Sequence, residues 1–135
     1  SSTKGYAMER HETERGRIGR LGEEATISHL RRLGYEICAR NWRSGSYEID
    51  IVARRYDVLH IIEVKTRQAD GLTTPEEALT EDKIRSLHRA ARIYMGVYAR
   101  RYEGFEVQFD LASVRVAEDG TMQVELIERV ADFGW

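Results

Sequence analysis

Apolar positions recur at helical spacing from Arg17 onward: Ile18, Leu21, Ala25, Ile27, Leu30 and Leu33. That spacing predicts a first helix, which Gly34 closes as the residue just past its end. The pattern then changes period. "YEICARNW" reads as a strand, "RSGS" as a turn, "YEIDIVARR" as a second strand, "RYD" as a turn and "VLHIIEVKTR" as a third. Three strands joined by such short turns are expected to form an antiparallel meander. "QADGLTTPEEAL" reads as a loop in which Pro75 can open a helical turn. Thr80 has the form of an N-cap for a second helix with Ile84, Leu87, Ala91, Tyr94, Met95 and Tyr98 on its apolar face. "FEVQFDLASVRV" and "TMQVELIERV", separated by the turn "EDG", complete the pattern as a fourth and a fifth strand.

The predicted order is helix, three strands, helix, two strands. It implies an α/β fold with a mixed central sheet of five strands and one helix on each face, a three-layer α/β/α sandwich. Residues 1–15 are polar and without periodicity, and are expected to be disordered, with "SSTKGYA" before Met8 readable as an expression-derived remnant. Residues 16–135 are expected to form a single domain, a size sufficient for a sizeable core.

Strands covered on both faces make charges within them conspicuous. "IIEVKTR" carries Glu63 and Lys65 two residues apart, hence on one face, in the most apolar part of the third strand. Burying an unpaired charge is costly, so the pair is either mutually satisfied or kept for chemistry. With the turn centred on Arg55 to Asp57, Asp50 of the second strand falls opposite Ile62 and diagonally beside Glu63. Two carboxylates, the backbone carbonyl of Val64 and water make a hard oxygen set suited to Mg²⁺ or Mn²⁺, with positions left open for phosphate oxygens. Lys65 beside them can orient or deprotonate an attacking water and offset charge on a phosphoester.

The remaining composition narrows the classes. The 135 residues carry a formal net charge of −2, which argues against a protein that coats nucleic acid by bulk attraction. Basic residues are overwhelmingly arginine, with Lys4, Lys65 and Lys83 the three lysines, a usage that suits phosphate recognition and equally follows from composition bias. Cys38 is the one cysteine, so no internal disulfide forms. No run approaches a membrane span and no signal peptide is seen, so a cytoplasmic protein without a membrane partner is expected.

The arrangement D…E-x-K across two strands resembles the PD-(D/E)xK, restriction-endonuclease-like nuclease superfamily. More narrowly, "GRLGEEATISHLRRLGY", "RNWRSGSYEIDIVA", "VLHIIEVKTR", "PEEALTEDKIRSLHRAARIYM" and "VQFDLASV" resemble the YraN family, described as Holliday-junction-resolvase-like. The resemblance runs from about Gly16 to Val116. It implies metal ligands at Asp50 and Glu63, a catalytic lysine at Lys65, and an accessory helix glutamate at Glu23, which helical spacing also aligns with Ile27 and Leu30. It implies a metal-dependent DNA endonuclease selective for structure rather than sequence, acting on branched or recombination intermediates as a homodimer. Two positions depart from the family pattern: Tyr47 stands where it has glycine before E-I-D, and Gln108 where it has the arginine of R-F-D.

Other residues have plainer alternatives. Glu48, Arg67 and Lys83 are candidates for outer contacts to the site or to phosphate, although Glu48 reads rather as a fold-supporting hydrogen-bond partner. Asp110 can approach the site or cap a strand end. His11, His29, His60 and His88 have no metal-ligand spacing, and His60 reads as a packed core or rim histidine. The stripe Arg85, Arg89, Arg92 reads as a solvated helix face or a track for a DNA backbone. A binding module that keeps the carboxylates without cutting, and an oligomerisation domain whose charged trio locks its strands, are the alternatives to an enzyme.

Overall fold

The computed structural model describes residues 12–69 and 79–132. The expectations for residues 1–11 and for the loop around Pro75 lie outside the described residues. The elements are α1 (Glu14–Arg32), β1 (Glu36–Ser44), β2 (Tyr47–Arg55), β3 (Val58–Gln68), α2 (Glu81–Val97), β4 (Glu106–Val116) and β5 (Met122–Ala131). The strands form one five-stranded sheet in sequence order. β1–β2, β2–β3 and β4–β5 pair antiparallel, whereas β3–β4 pair parallel, with α2 lying between them in sequence as the crossover. The α/β class, the mixed five-stranded sheet and the order of elements are those the hydrophobic pattern predicts.

α1 begins one turn earlier than its apolar periodicity indicates. Thr13 is the N-cap, its Oγ1 accepting the Gly16 N–H at 3.0 Å, and Glu14 opens the first turn. The helix thus takes in Glu14 and Arg15, with Thr13 as its cap. That turn is solvent-exposed, so capping marks it and hydrophobic spacing does not. Thr80 caps α2 as expected, accepting the Lys83 N–H at 3.1 Å. Gly34, at φ 89°, follows the α1 C-cap Leu33 in the left-handed conformation that favours glycine.

Two hydrophobic clusters cover the two faces of the sheet. On one, Ile27 and Leu30 of α1 meet Ile51, Ala53, Ile62 and Ala112. On the other, Leu87, Ala90, Ala91 and Tyr94 of α2 meet Ile49, Val52, Leu59, Ile61 and Phe109. Each fully buried aliphatic side chain contributes on the order of 2 kcal/mol by leaving water, so the helices are held by packing. β3 is the central strand, and Leu59 through Glu63 are all buried while Lys65 is exposed. The strand thus emerges from its cover at the very residues that carry charge.

α1 approaches β3 closely at Gly22. A Cβ at this position would lie 2.0 Å from Thr66 Oγ1 and 3.1 and 3.2 Å from Thr66 Cβ and Cγ2. Turning the threonine relieves only part of the clash, so the helix must move away from the strand. Gly22→Ala is expected to cost roughly 1–3 kcal/mol by overpacking, read as a lower urea midpoint. Adding Thr66→Ala should recover much of the loss, because it removes the clashing Oγ1 and Cγ2, and Oγ1 has no hydrogen-bond partner among the described residues to forfeit.

Candidate active site

The β2–β3 hairpin sets the geometry. Arg55 pairs with Val58 and Ile51 with Ile62, a register one residue away from that expected, because only Tyr56 and Asp57 form the turn. Asp50 therefore lies beyond the last paired residues, level with Glu63 rather than Ile62. The pleat also breaks there. Ile49 and Val52 both enter the α2-side cluster, while Ile51 and Ala53 enter the α1-side one. In a regular strand Ile49 and Ile51 would share a face. Across on β1, Asn41 falls between the pairs Arg40–Ile51 and Trp42–Ile49, and it holds a left-handed φ of 51°. The distortion frees the Asp50 side chain, whose Oδ2 accepts the Val64 N–H at 2.9 Å.

Glu63 is 8% exposed. Burial, together with the neighbouring Asp50 charge, pushes its carboxyl up to about 7, against the opposing pull of Lys83. Asp50 is raised as well, chiefly by burial, with the Val64 N–H working the other way. Glu23 of α1 is half-buried and raised first by burial and then by Asp50, while a hydrogen bond from Asn41 favours its ionised form. Three carboxyl groups from α1, β2 and β3 thus crowd together: the Asp50 charge raises both Glu23 and Glu63, while a hydrogen bond with Glu63 favours the ionised form of Asp50. Lys83 of α2 lies against this cluster, with Nζ 3.2 Å from Glu63 Oε2, and the Glu63 charge raises its pKa.

A groove of about 710 Å³ opens along α1 and the end of β3. Glu23, Asp50, Glu63, Val64, Lys65 and Arg67 all line it, with Glu14 and Arg15 at the start of α1. The residues singled out from the sequence as Asp50, Glu63, Lys65 and Glu23 are therefore brought to one depression, with acids in its floor and Lys65 exposed. Glu48 is held elsewhere: it is exposed and paired with Arg43 at 3.0 Å, reaching Asp50 only through its charge. Arg89 of the helix stripe donates to the Tyr47 hydroxyl at 3.3 Å, which gives the departure at Tyr47 a structural partner.

Asp110 does neither of the things expected of it. It is fully buried within β4, where His60 Nδ1, Gln108 Nε2 and the Arg129 N–H converge on its carboxylate. His60 is buried against it, in keeping with the reading as a packed histidine. Gln108 links Asp110 to Glu128.

The sequence profile described as "Uncharacterised protein family UPF0102" matches residues 22–114. The chain belongs to this family. A UPF0102 protein of Porphyromonas gingivalis is 44% identical over 103 residues, 76% of this chain and 74% of the relative. One from Bacteroides thetaiotaomicron is 38% identical over 115 residues, 85% of this chain and 92% of the relative. One from Nitratidesulfovibrio vulgaris is 47% identical over 77 residues, 57% and 58% of the two chains. The matched segment contains Glu23, Asp50, Glu63, Lys65 and Lys83. UPF0102 membership accords with the YraN resemblance of the sequence motifs and leaves the chemistry to be argued from the site. Among the described residues no helix is long and apolar enough to cross a membrane.

Proposed function

We propose that this chain is a metal-dependent phosphodiesterase that cuts DNA, with branched or recombination-intermediate DNA as its substrate class. The observation that carries the reading is a pair of crowded carboxylates, Asp50 and Glu63, lining one groove with Lys65. The donor set fits a hard divalent cation. Both carboxyl groups are raised first by burial, and Glu63 also by the Asp50 charge; a positive charge between them relieves this, and carboxylates with open positions are what Mg²⁺ or Mn²⁺ takes. Asp50 and Glu63 would hold the ion, with the Val64 carbonyl as a further oxygen and Glu23 as an accessory carboxylate. Bound there, such an ion polarises a phosphoryl oxygen and acidifies a water. Lys65 would orient an attacking water, and its ammonium would offset the charge gathering on the phosphoryl group. Arg67 in the groove wall and Lys83 beside Glu63 contact the flanking phosphates.

Cutting two strands of a junction calls for two sites related by symmetry, so a homodimer forms part of the proposal. A second reading, a module that binds structured DNA without cutting, draws on the Lys83–Glu63 ion pair, which already neutralises one carboxylate. Purified chain should be incubated with linear duplex, nicked duplex and a four-way junction across Mg²⁺ and Mn²⁺ titrations. Divalent-dependent products, strongest on the junction, are expected. Binding without product at any concentration of either ion would establish the second reading instead. Neither binding nor cleavage would remove both.

A further inference from the structure

On the opposite face of β3 from Glu63, three strands aim ligand-type side chains at one point. A ring nitrogen of His60 (β3), a carboxylate oxygen of Asp110 (β4) and one of Glu128 (β5) lie within 4.8 Å of one another. His60 and Asp110 are buried, Glu128 is exposed, and His60 Nδ1 lies 2.6 Å from Asp110 Oδ2. Gln108 Nε2 donates to Asp110 Oδ1 at 3.0 Å and to Glu128 Oε1 at 2.8 Å, so one neutral amide holds both carboxylates in place. β5 is bent to reach them. Its register shifts between the pairs Phe109–Ala131 and Leu111–Ile127, and Arg129 at φ 57° turns its N–H onto Asp110 Oδ1 at 3.1 Å.

Charge is what this arrangement leaves unbalanced. The Arg129 guanidinium is paired with Glu106 at 3.2 Å, and Arg55 lies over the Tyr35 ring while donating to the Leu33 carbonyl. Among the described residues, the side chains that bond Asp110 or Glu128 are His60 and Gln108, so two carboxylates share one imidazole and an uncharged amide. Asp110 is held by these donors together with the Arg129 N–H, and a cation bound to both carboxylates would add the positive charge that one imidazole and a neutral amide do not supply.

We propose that His60, Asp110 and Glu128 form a second divalent-cation site, distinct from the Asp50–Glu63 pair and selective for an ion of the Zn²⁺ class. One imidazole nitrogen with two carboxylate oxygens suits Zn²⁺, Co²⁺ or Mn²⁺ better than Mg²⁺, which prefers oxygen and water throughout. The ion takes the place of the proton shared by His60 Nδ1 and Asp110 Oδ2, and that proton leaves to solvent. Gln108 orients the carboxylates from outside, and exposed Glu128 marks the entry side. An ion there ties β3, β4 and β5 together.

The test uses Co²⁺ alone, titrated into the Asp50→Asn/Glu63→Gln double variant so that the first site does not compete. Binding is followed by visible absorption and by calorimetry. A single Co²⁺ per chain with a ligand-field spectrum of low coordination number is expected, displaced by Zn²⁺. His60→Gln added to that background should abolish the spectrum. Glu128→Gln, at an exposed position that spares the fold, should weaken binding by about tenfold or more. No bound Co²⁺ in the double variant would overturn the proposal, as would an affinity unchanged by Glu128→Gln. Neither result bears on cleavage at the first site.

Discussion

Lys65→Ala is expected to lower the rate of DNA cleavage by about 10²–10⁴-fold while leaving Mn²⁺ bound. The ion needs oxygens, which this substitution leaves in place, and the lysine is exposed at the mouth of the groove, so stability should move by no more than about 0.5 kcal/mol. Asp50→Asn should behave differently. It removes a ligand charge, so Mn²⁺ affinity falls together with activity, while an amide oxygen remains to accept the Val64 N–H and keep the strand end in place. Mn²⁺ binding by electron paramagnetic resonance, cleavage rate and urea unfolding, measured on both variants, separate the two roles. Should Lys65→Ala unfold the chain while Asp50→Asn leaves stability and Mn²⁺ affinity unchanged, the trio is a structural ion pair and the nuclease reading falls.

Much of the fold was legible because burial enforces period. Leu87, Ala91 and Tyr94 recur as one helical stripe, and the strands from β2 onward announce themselves by their β-branched residues. What escaped was local backbone geometry that runs against propensity. Tyr56 adopts φ 56° in the β2–β3 turn, a left-handed conformation unusual for an aromatic residue, so nothing in "RYD" marks a two-residue turn. The expected register was accordingly one residue out. The error is small in sequence and large in consequence, because a shift of one moves Asp50 from Ile62 to Glu63.

The candidate site divides in the same way. Glu63 and Lys65 stood out because charges interrupt a buried run, a contrast that needs no tertiary information. Asn41 offers no such contrast, although asparagine within a strand is itself a mild warning of irregular backbone. Its left-handed turn breaks the pleat at Asp50, and its side chain reaches Glu23. The ion pair between Lys83 and Glu63 and the convergence of His60 with Asp110, 50 residues away, depend on how α2 and β4 return to β3. Spacing within one element carries no trace of either.

Metal-free protein is expected to lose stability as pH rises from about 4.5 to 7, and Glu63→Gln should abolish most of that loss. In the folded chain Glu63 keeps its proton to about pH 7, whereas in the unfolded chain it releases it near the ordinary value of 4.5. Between those values the folded state binds more protons, so stability falls with rising pH. The displacement corresponds to roughly 3 kcal/mol at most, at about 1.4 kcal/mol per unit of pKa, and the shared titration with Asp50 makes it a property of the pair. Lys83 does not reverse the sign, because burial and the Asp50 charge outweigh its attraction. Glutamine at this position carries no charge to desolvate and none to repel Asp50. Above pH 7, with a chelator present, Glu63→Gln should therefore be the more stable protein, by roughly 2–3 kcal/mol in urea unfolding; at pH 4.5 the two should nearly coincide. Saturating Mn²⁺ should erase or invert the difference, since the parent gains binding energy that the variant has lost. A parent protein whose stability stays flat or rises over this pH range in chelator would mean that Glu63 is ionised and fully compensated by Lys83, and the strain argued for the carboxylate pair would be absent.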